Sequence, residues 1–401
     1  MRLLRVYLTI FFFSIVFFLY LSEVYLTYNI PKGNQLIKNL KIKEERYKKL
    51  TGNSFDLRTK IELYKDLQKK DSKVSLVISP KNFLNKENKL DVLAFSGISN
   101  SKTISCNENG YYQIYKSDRY GFNNPDREWL SNRVSYLLLG DSFAHGSCVN
   151  RPNDIASSLR AQTKKTSISL GYVGNGPLIQ LATLKEYLPE NVENIIWFYY
   201  EENDLIDLST EINNSILIKY LNNYNFSQNL KEKQDDIDKY LTSNIKKNLN
   251  DIKLEEDYWR GYYSKKKVFL RFIRLDSFKR FIVSLKKNKN ISSENEMIGN
   301  LEKILASAKQ IAKTKNSNLY FVYLSGFNRY NSFFSDQYEF MNNYPKIIDM
   351  VNNLGISVID IHAELFAKEK YPLDYFPFSQ YGHYNEKGYK KISEIIYEAI
   401  K

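Results

Sequence analysis

Cysteine and histidine are scarce in this chain. Of 401 residues, two are cysteine (Cys106 and Cys148) and three are histidine (His145, His362 and His383). Two cysteines exclude a disulfide framework and a thiolate metal cluster; the pair could bond in an oxidising compartment, which spacing alone leaves open. Three histidines leave a short slate for any reaction that needs an imidazole base. Zinc-finger spacing, an arginine-rich stripe and internal repeats are also missing. The formal charge of +13 therefore does not indicate a nucleic-acid partner. Its excess is mostly lysine, spread among abundant Asn, Ile and Tyr, as codon bias toward A and T produces. A chain of this length has no difficulty in burying a core.

Charge is absent altogether from Val6 to Ser22 (VYLTIFFFSIVFFLYLS), and after Glu23 the run VYLTYNI is apolar and aromatic again. That length is about what the ~30 Å hydrocarbon core of a bilayer asks of a helix. Arg2 and Arg5 precede the run, and Tyr20, Tyr25 and Tyr28 suit an interface. No small-x-small cleavage site follows it, which favours an uncleaved transmembrane anchor over 1–29 against a signal peptide. Lys32, Lys38, Lys41, Lys43 and Arg46 would hold the following segment inside by the positive-inside rule. The N-terminal tail is too short to be a translocated domain, however, and large domains cross despite their charge. The expectation is a single-pass membrane protein with its body outside the cytoplasm.

Residues 30–90 are polar and lysine-rich and read as a stalk. Residues 91–132 mix β-like runs (DVLAFSG, YYQIYKS) with the turn-rich SDRYGFNNPDREW, and read as accessory strands or a cap. A regular alternation then begins: strand Tyr136–Leu139, helix Asp154–Lys164, strand Ser167–Leu170, helix Leu178–Leu188, strand Asn194–Tyr200. It resumes near Leu301 with LEKILASAKQIAK, NLYFVYL, YPKIIDMVNNL, ISVIDI and EKGYKKISEIIYEAI as helix, strand, helix, strand and helix. Such alternation predicts an α/β domain over 133–401 whose parallel sheet is covered on both faces. A helical insertion at about 209–300 interrupts it, with Ile237, Tyr240, Leu241, Ile245, Leu249 and Ile252 at steps of three and four. Within it, Lys265–Lys287 (KKKVFLRFIRLDSFKRFIVSLKK) reads as a basic, apolar helix. It lies either on a membrane surface or across the domain with its lysines solvated.

The stretch SYLLLGDSFAHG ends a buried strand in Gly140-Asp141-Ser142. These are turn residues, but a serine at the carboxyl edge of a parallel sheet also stands where open α/β folds bind ligands. Three other segments fall on that edge if the sheet is doubly wound. LGYVGNGPL offers glycines whose backbone N–H groups can approach a ligand. FYYEENDLIDL places Asn203 after a strand, as an amide donor or as a helix cap in competition with Asp204. SQYGHYNEKGY carries His383 before the last helix. His362 reads as structural, and His145 lies too close to Ser142 in sequence to reach its hydroxyl. His383 is the candidate base.

GDSF at 140–143, Gly174, Asn203 and His383 together resemble the four sequence blocks of the SGNH (GDSL) hydrolase superfamily, in the family's order, over about 133–208 and 300–401. SDRYGFNNPD resembles the approach segment of its membrane-anchored members. G-x-S-x-G is excluded, since position 144 is Ala144. The resemblance implies a three-layer α/β/α, flavodoxin-like sheet and an esterase that needs no cofactor. It implies Ser142 as nucleophile and His383 as general base. The N–H groups of Ser142 and Gly174, with the Asn203 amide, would form the oxyanion hole. The implied substrates are acyl or acetyl esters, with envelope polysaccharide as a partner. An O-acyltransferase with the same residues is one alternative; a silent binding or scaffold protein is another. Two departures stand out. Glu202 precedes Asn203 where the family has glycine, and Gln380 occupies the acid's position three residues before His383. Asp374 is the candidate replacement acid, with a Ser–His dyad oriented by a backbone carbonyl and a dead site as the alternatives.

Overall fold

The computed structural model describes residues 2–29, 34–84, 92–261, 265–287, 294–331 and 343–401. Lys32, the rest of 30–33, and 85–91 (including Asp91 of DVLAFSG) lie outside them. Helices α1 (Arg2–Asn29), α2 (Asn34–Thr51) and α3 (Lys60–Gln68) come first, followed by the short strands β1 (Val74–Leu76), β2 (Lys102–Ile104) and β3 (Ile114–Lys116). Next come β4 (Val134–Leu139), α4 (Ser142–His145), α5 (Ile155–Thr163), β5 (Ser167–Ser169), α6 (Pro177–Tyr187) and β6 (Val192–Tyr200). Helices α7 (Asp204–Glu211), α8 (Ser215–Asn222), α9 (Gln234–Gly261), α10 (Lys265–Ile273), α11 (Asp276–Lys287) and α12 (Glu294–Thr314) precede β7 (Asn318–Leu324). The chain ends with α13 (Phe327–Tyr330), α14 (Tyr344–Asn353), β8 (Ser357–Asp360), α15 (Ile361–Glu364) and α16 (Glu386–Ile400).

Two compact units result: Met1–Ile42 with Leu249–Ser292, and Lys43–Asn248 with Ser293–Lys401. The second holds a five-stranded, all-parallel sheet in the order β5-β4-β6-β7-β8. Numbered within the sheet this is 2-1-3-4-5, the flavodoxin-like order. The strands are near-continuous apolar runs because both faces are covered. Period-two alternation then divides each strand between two cores. Leu137, Leu139, Ile195, Trp197, Tyr199, Phe321 and Tyr323 enter the core shared with α6, α8, α12 and α14. Tyr136, Leu138, Ile196, Phe198, Tyr200, Val322 and Leu324 enter the one shared with α5 and α16. That is the three-layer α/β/α arrangement.

The segment expected as a stalk does not remain one. From Lys43 onward it belongs to the body, and β1 pairs in parallel with β2, which pairs antiparallel with β3. Ile61, Leu63 and Tyr64 of α3 are buried, so this stretch has an apolar face that its lysine content obscured. The described part of DVLAFSG is buried without being a strand. The loop after β3 is organised by Asp118, whose carboxylate accepts from Tyr120 N, Phe122 N, Asn124 Nδ2 and Trp129 Nε1. Asn124 in turn donates to Ser169 O and accepts from Ser169 N, docking the accessory segment on β5. The basic run Lys265–Lys287 is two helices, broken at Arg274–Leu275 where Leu275 has φ +53°.

Candidate active site

Strand β4 ends at Leu139, and the chain turns at Gly140-Asp141 into the four-residue helix α4. Asp141 caps it, its Oδ1 accepting from Phe143 N at 2.8 Å, and Gly146 ends it in the left-handed region. The cap leaves Ser142 as the first helical residue, with an N–H that no intrahelical carbonyl uses. Ser142 is 8% exposed. Its hydroxyl lies 2.8 Å from His383 Nε2, across 241 residues of sequence. His383 sits three residues ahead of α16, whose N-cap Asn385 accepts from Gly388 N. Phe143 packs its ring 4.9 Å from the imidazole and 4.0 Å from Tyr200, closing one side.

The other imidazole nitrogen meets a residue outside the sequence reading. His383 Nδ1 is 3.1 Å from Glu108 Oε1, and Glu108 Oε2 accepts from the His383 backbone N–H at 2.6 Å. The carboxylate therefore grips both ring and backbone. Glu108 is delivered by the accessory segment, two residues after Cys106. Cys106 is disulfide-bonded to Cys148, six residues past Ser142. Gln113 adds a second tie by accepting from Cys148 N and donating to Gly146 O. Cys148 Sγ lies 3.5 Å from His383 Nδ1, but as part of a disulfide it offers no thiolate to a metal. The open pairing question was the one signal that could have found Glu108, because a 106–148 bond carries residue 108 toward Ser142.

Asp374 is elsewhere. It is exposed, accepts from Ser379 Oγ at 3.1 Å, and its carbonyl accepts from Asn385 Nδ2. Its tie is to the cap of α16, so it braces that helix start and leaves the imidazole to Glu108. Gln380 turns its amide to Ser379 O. From α2, Lys43 donates to Tyr381 O at 3.0 Å and Arg46 to Phe378 O, strapping the histidine loop. Gly382 leaves room for the acid: a Cβ there would stand 2.5 Å from Glu108 Oε2.

Charge at the pair is set by competing effects. Burial tends to raise the Glu108 pKa, but the His383 charge, its hydrogen bonds and the nearby Lys43 hold it down at about 2. Burial tends to lower that of His383, yet the charge and hydrogen bond of Glu108, with Asp141 behind, keep it above 6.5. The side chains are 23% and 21% exposed, so solvent reaches both.

Of the remaining candidates, Asn203 meets Asp141. Asn203, following β6, donates from Nδ2 to Asp141 Oδ2 at 3.1 Å, and Ser142 Oγ reaches the same oxygen at 3.4 Å. Gly174 lies on the loop after β5, tied to Gly140 O by Tyr172 N. Its φ of +79° is a left-handed value, and a Cβ would meet Ser79 Oγ at 2.2 Å. Glu211 anchors the end of this loop by accepting from Gly176, Leu178 and Ile179 N–H, and burial pushes its carboxyl up to about 8. Glu202 accepts from Asn328 N at 3.0 Å. The other histidines are structural. His145 is buried between Ser147 Oγ and Tyr115 Oη, with burial pushing its pKa down to about 3, and His362 Nδ1 is 2.7 Å from Tyr330 Oη.

No protein-family model and no curated protein matches the sequence. Among solved structures, an acetyl xylan esterase matches at 10% identity and TM-score 0.37, covering 67% of this chain and all of the other. A lipolytic G-D-S-L family protein of Veillonella parvula gives 12% and 0.35, covering 67% and 98%. A lipase/acylhydrolase of Enterococcus faecalis gives 10% and 0.35, covering 67% and 95%. Likenesses this distant do not carry a function to this chain, and the chemistry has to come from the site's own geometry.

Proposed function

We propose that this chain is a membrane-anchored serine esterase of the SGNH type, with Ser142 as nucleophile, His383 as general base and Glu108 as the acid that orients it. The observation that carries the reading is the continuous line Ser142 Oγ, His383 Nε2, His383 Nδ1, Glu108 Oε1, with gaps of 2.8 and 3.1 Å. A serine hydroxyl is a weak nucleophile until a base removes its proton. His383 Nε2 takes that proton as Oγ attacks the ester carbonyl, and Glu108 stabilises the imidazolium while holding Nδ1–H in place. Charge then collects on the carbonyl oxygen, where the N–H groups of Ser142 and Gly174 and the Asn203 amide are the donors available. Losing one such donor typically costs about 2.7–4 kcal/mol of transition-state stabilisation. His383 returns the proton to the departing alkoxide, leaving Ser142 acylated. Water, activated by the same imidazole, releases the acid.

Acyl esters, acetyl esters included, are the substrate class, and an envelope polysaccharide is the carrier we favour. Helix α1 is long and apolar enough over Arg2–Leu26 to cross a bilayer. We read it as a single-pass anchor with the body outside the cytoplasm, the compartment in which a Cys106–Cys148 disulfide persists. Glu108 weakens the reading of a silent scaffold, which rested on Gln380 in the acid's usual place.

A fluorophosphonate probe tests the proposal on the full chain. Labelling is expected for the parent protein and absent in Ser142→Ala; a parent that never labels overturns it. With a model acetyl ester, free acetate as the product supports hydrolysis, whereas preferential acetylation of an added glycan shifts the reading to an acyltransferase.

A further inference from the structure

The catalytic proposal makes no use of the unit formed by Met1–Ile42 and Leu249–Ser292. In it, α10 and α11 pack on α1. Tyr20 Oη donates to Ile273 O at 3.2 Å, and its ring lies 5.2 Å from that of Phe272. Glu23, the one charged residue of α1 beyond Arg5, is 1% exposed. Its two carboxylate oxygens accept from Ser277 N at 2.9 Å and Phe278 N at 2.8 Å. A lone carboxylate at the end of an apolar span is costly. Here it is met by the first amides of α11, where a helix has unpaired N–H groups and the positive end of its dipole.

The contact also sets a depth. At 1.5 Å per residue, the climb from Arg5 to Glu23 is about 27 Å, close to the ~30 Å hydrocarbon thickness. Arg5 and Glu23 thus mark the two boundaries of the span, and the first turn of α11 is fastened at the second. The sequence fits that position. Lys265–Lys287 carries nine Lys and Arg against the single acid Asp276. It also exposes Phe269 (62%), Ile273 (47%) and Phe281 (37%). Helix α1, on which α10 and α11 pack, likewise exposes Phe17, Phe18 and Leu21. Basic and apolar side chains together on short helices are what an interfacial helix requires, with anionic headgroups supplying the countercharge.

We infer that α10 and α11 form an interfacial hairpin seated in the leaflet at the Glu23 end of the anchor, bound to anionic phospholipid. It rests on the reading of α1 as a membrane span. Apolar side chains of the hairpin enter the acyl boundary, and its cations face the headgroups. The chain then holds that leaflet through two separate segments, far apart in sequence and joined at Glu23.

The test places photoreactive benzoylphenylalanine singly at Phe12, Phe269 or Phe281 of the full chain. Each protein is reconstituted in nanodiscs of equal phosphatidylglycerol and phosphatidylcholine, and lipid adducts are identified by mass spectrometry. All three positions should capture lipid. Capture at Phe12 should follow bulk composition, whereas Phe269 and Phe281 should favour the anionic lipid by about threefold or more. Arg274→Glu with Lys279→Glu should bring that preference to about one, with Ser142 labelling retained as proof of folding. Capture at Phe12 alone overturns the hairpin's seat and leaves the anchor standing. Absence of capture at Phe12 overturns the anchor and the inference with it. Equal capture of both lipids at Phe269 and Phe281 overturns the anionic recognition. Crosslinks from these positions to a protein in native membranes overturn it in favour of a protein partner.

Discussion

Glu108 and His383 are 275 residues apart in sequence, yet one carboxylate holds both the backbone N–H and Nδ1 of that histidine. An acid gripping its base at two points restrains the ring against rotation as well as stabilising its charge. That makes Glu108, and neither Asp374 nor Gln380, the residue on which the proposed triad depends.

Glu108→Gln should lower kcat by up to about 10⁴-fold, the loss seen when a triad gives up its acid's charge and preferred tautomer. Asp374→Asn and Gln380→Asp should leave turnover unchanged, because neither side chain meets the imidazole. Steady-state hydrolysis of a model acetyl ester by the three variants checks this, and a large loss in Asp374→Asn alone would contradict it.

The pH profile should move in a defined direction. His383 must be neutral to accept the Ser142 proton, and Glu108 keeps its pKa above 6.5. The acid limb of kcat/KM for the parent should therefore lie above that of an ordinary histidine. Replacing Glu108 with glutamine removes the influence that raises the pKa and leaves burial, which lowers it, so the limb should shift to lower pH even as the rate falls. An upward shift, or none, would count against the pairing.

The Cys106–Cys148 bond spans 42 residues of sequence. A loop of that size corresponds to about 3–4 kcal/mol of stabilisation in the chain-entropy model. Serine at both positions should lower the urea midpoint. It should also reduce kcat more than KM changes, because Glu108 follows Cys106 by two residues. Reductant added to the parent should reproduce both effects.

Gly382→Ala should displace the acid, since its Cβ would stand 2.5 Å from Glu108 Oε2. The variant should lose kcat and shift its pH limb downward, as Glu108→Gln does. Combining the two should add little to either alone, because both remove the same contact. Full additivity in rate would show that Gly382 acts by another route.

Ser142, Asn203 and His383 were legible in the sequence because each lies near the end of a recognisable strand or the start of a recognisable helix. Strand ends of a parallel sheet share one edge, so knowing the alternation is enough to bring them together. Unbroken apolar runs in β4, β6 and β7 likewise reported two buried faces, and the charge-free run from Val6 to Ser22 reported a helix long enough to span a membrane.

Glu108 could not be read that way. It lies in irregular chain between β2 and β3, outside any periodic element, and reaches His383 through a disulfide and a chain of loop hydrogen bonds. The same holds for α3 and β1, whose few buried residues are diluted by lysine, and for Glu23, which looks like a flaw in an apolar run until α11 supplies its donors. Local patterns are written by solvent exposure repeating along one element. Contacts between irregular segments leave no such periodic trace, and only the folded chain decides them.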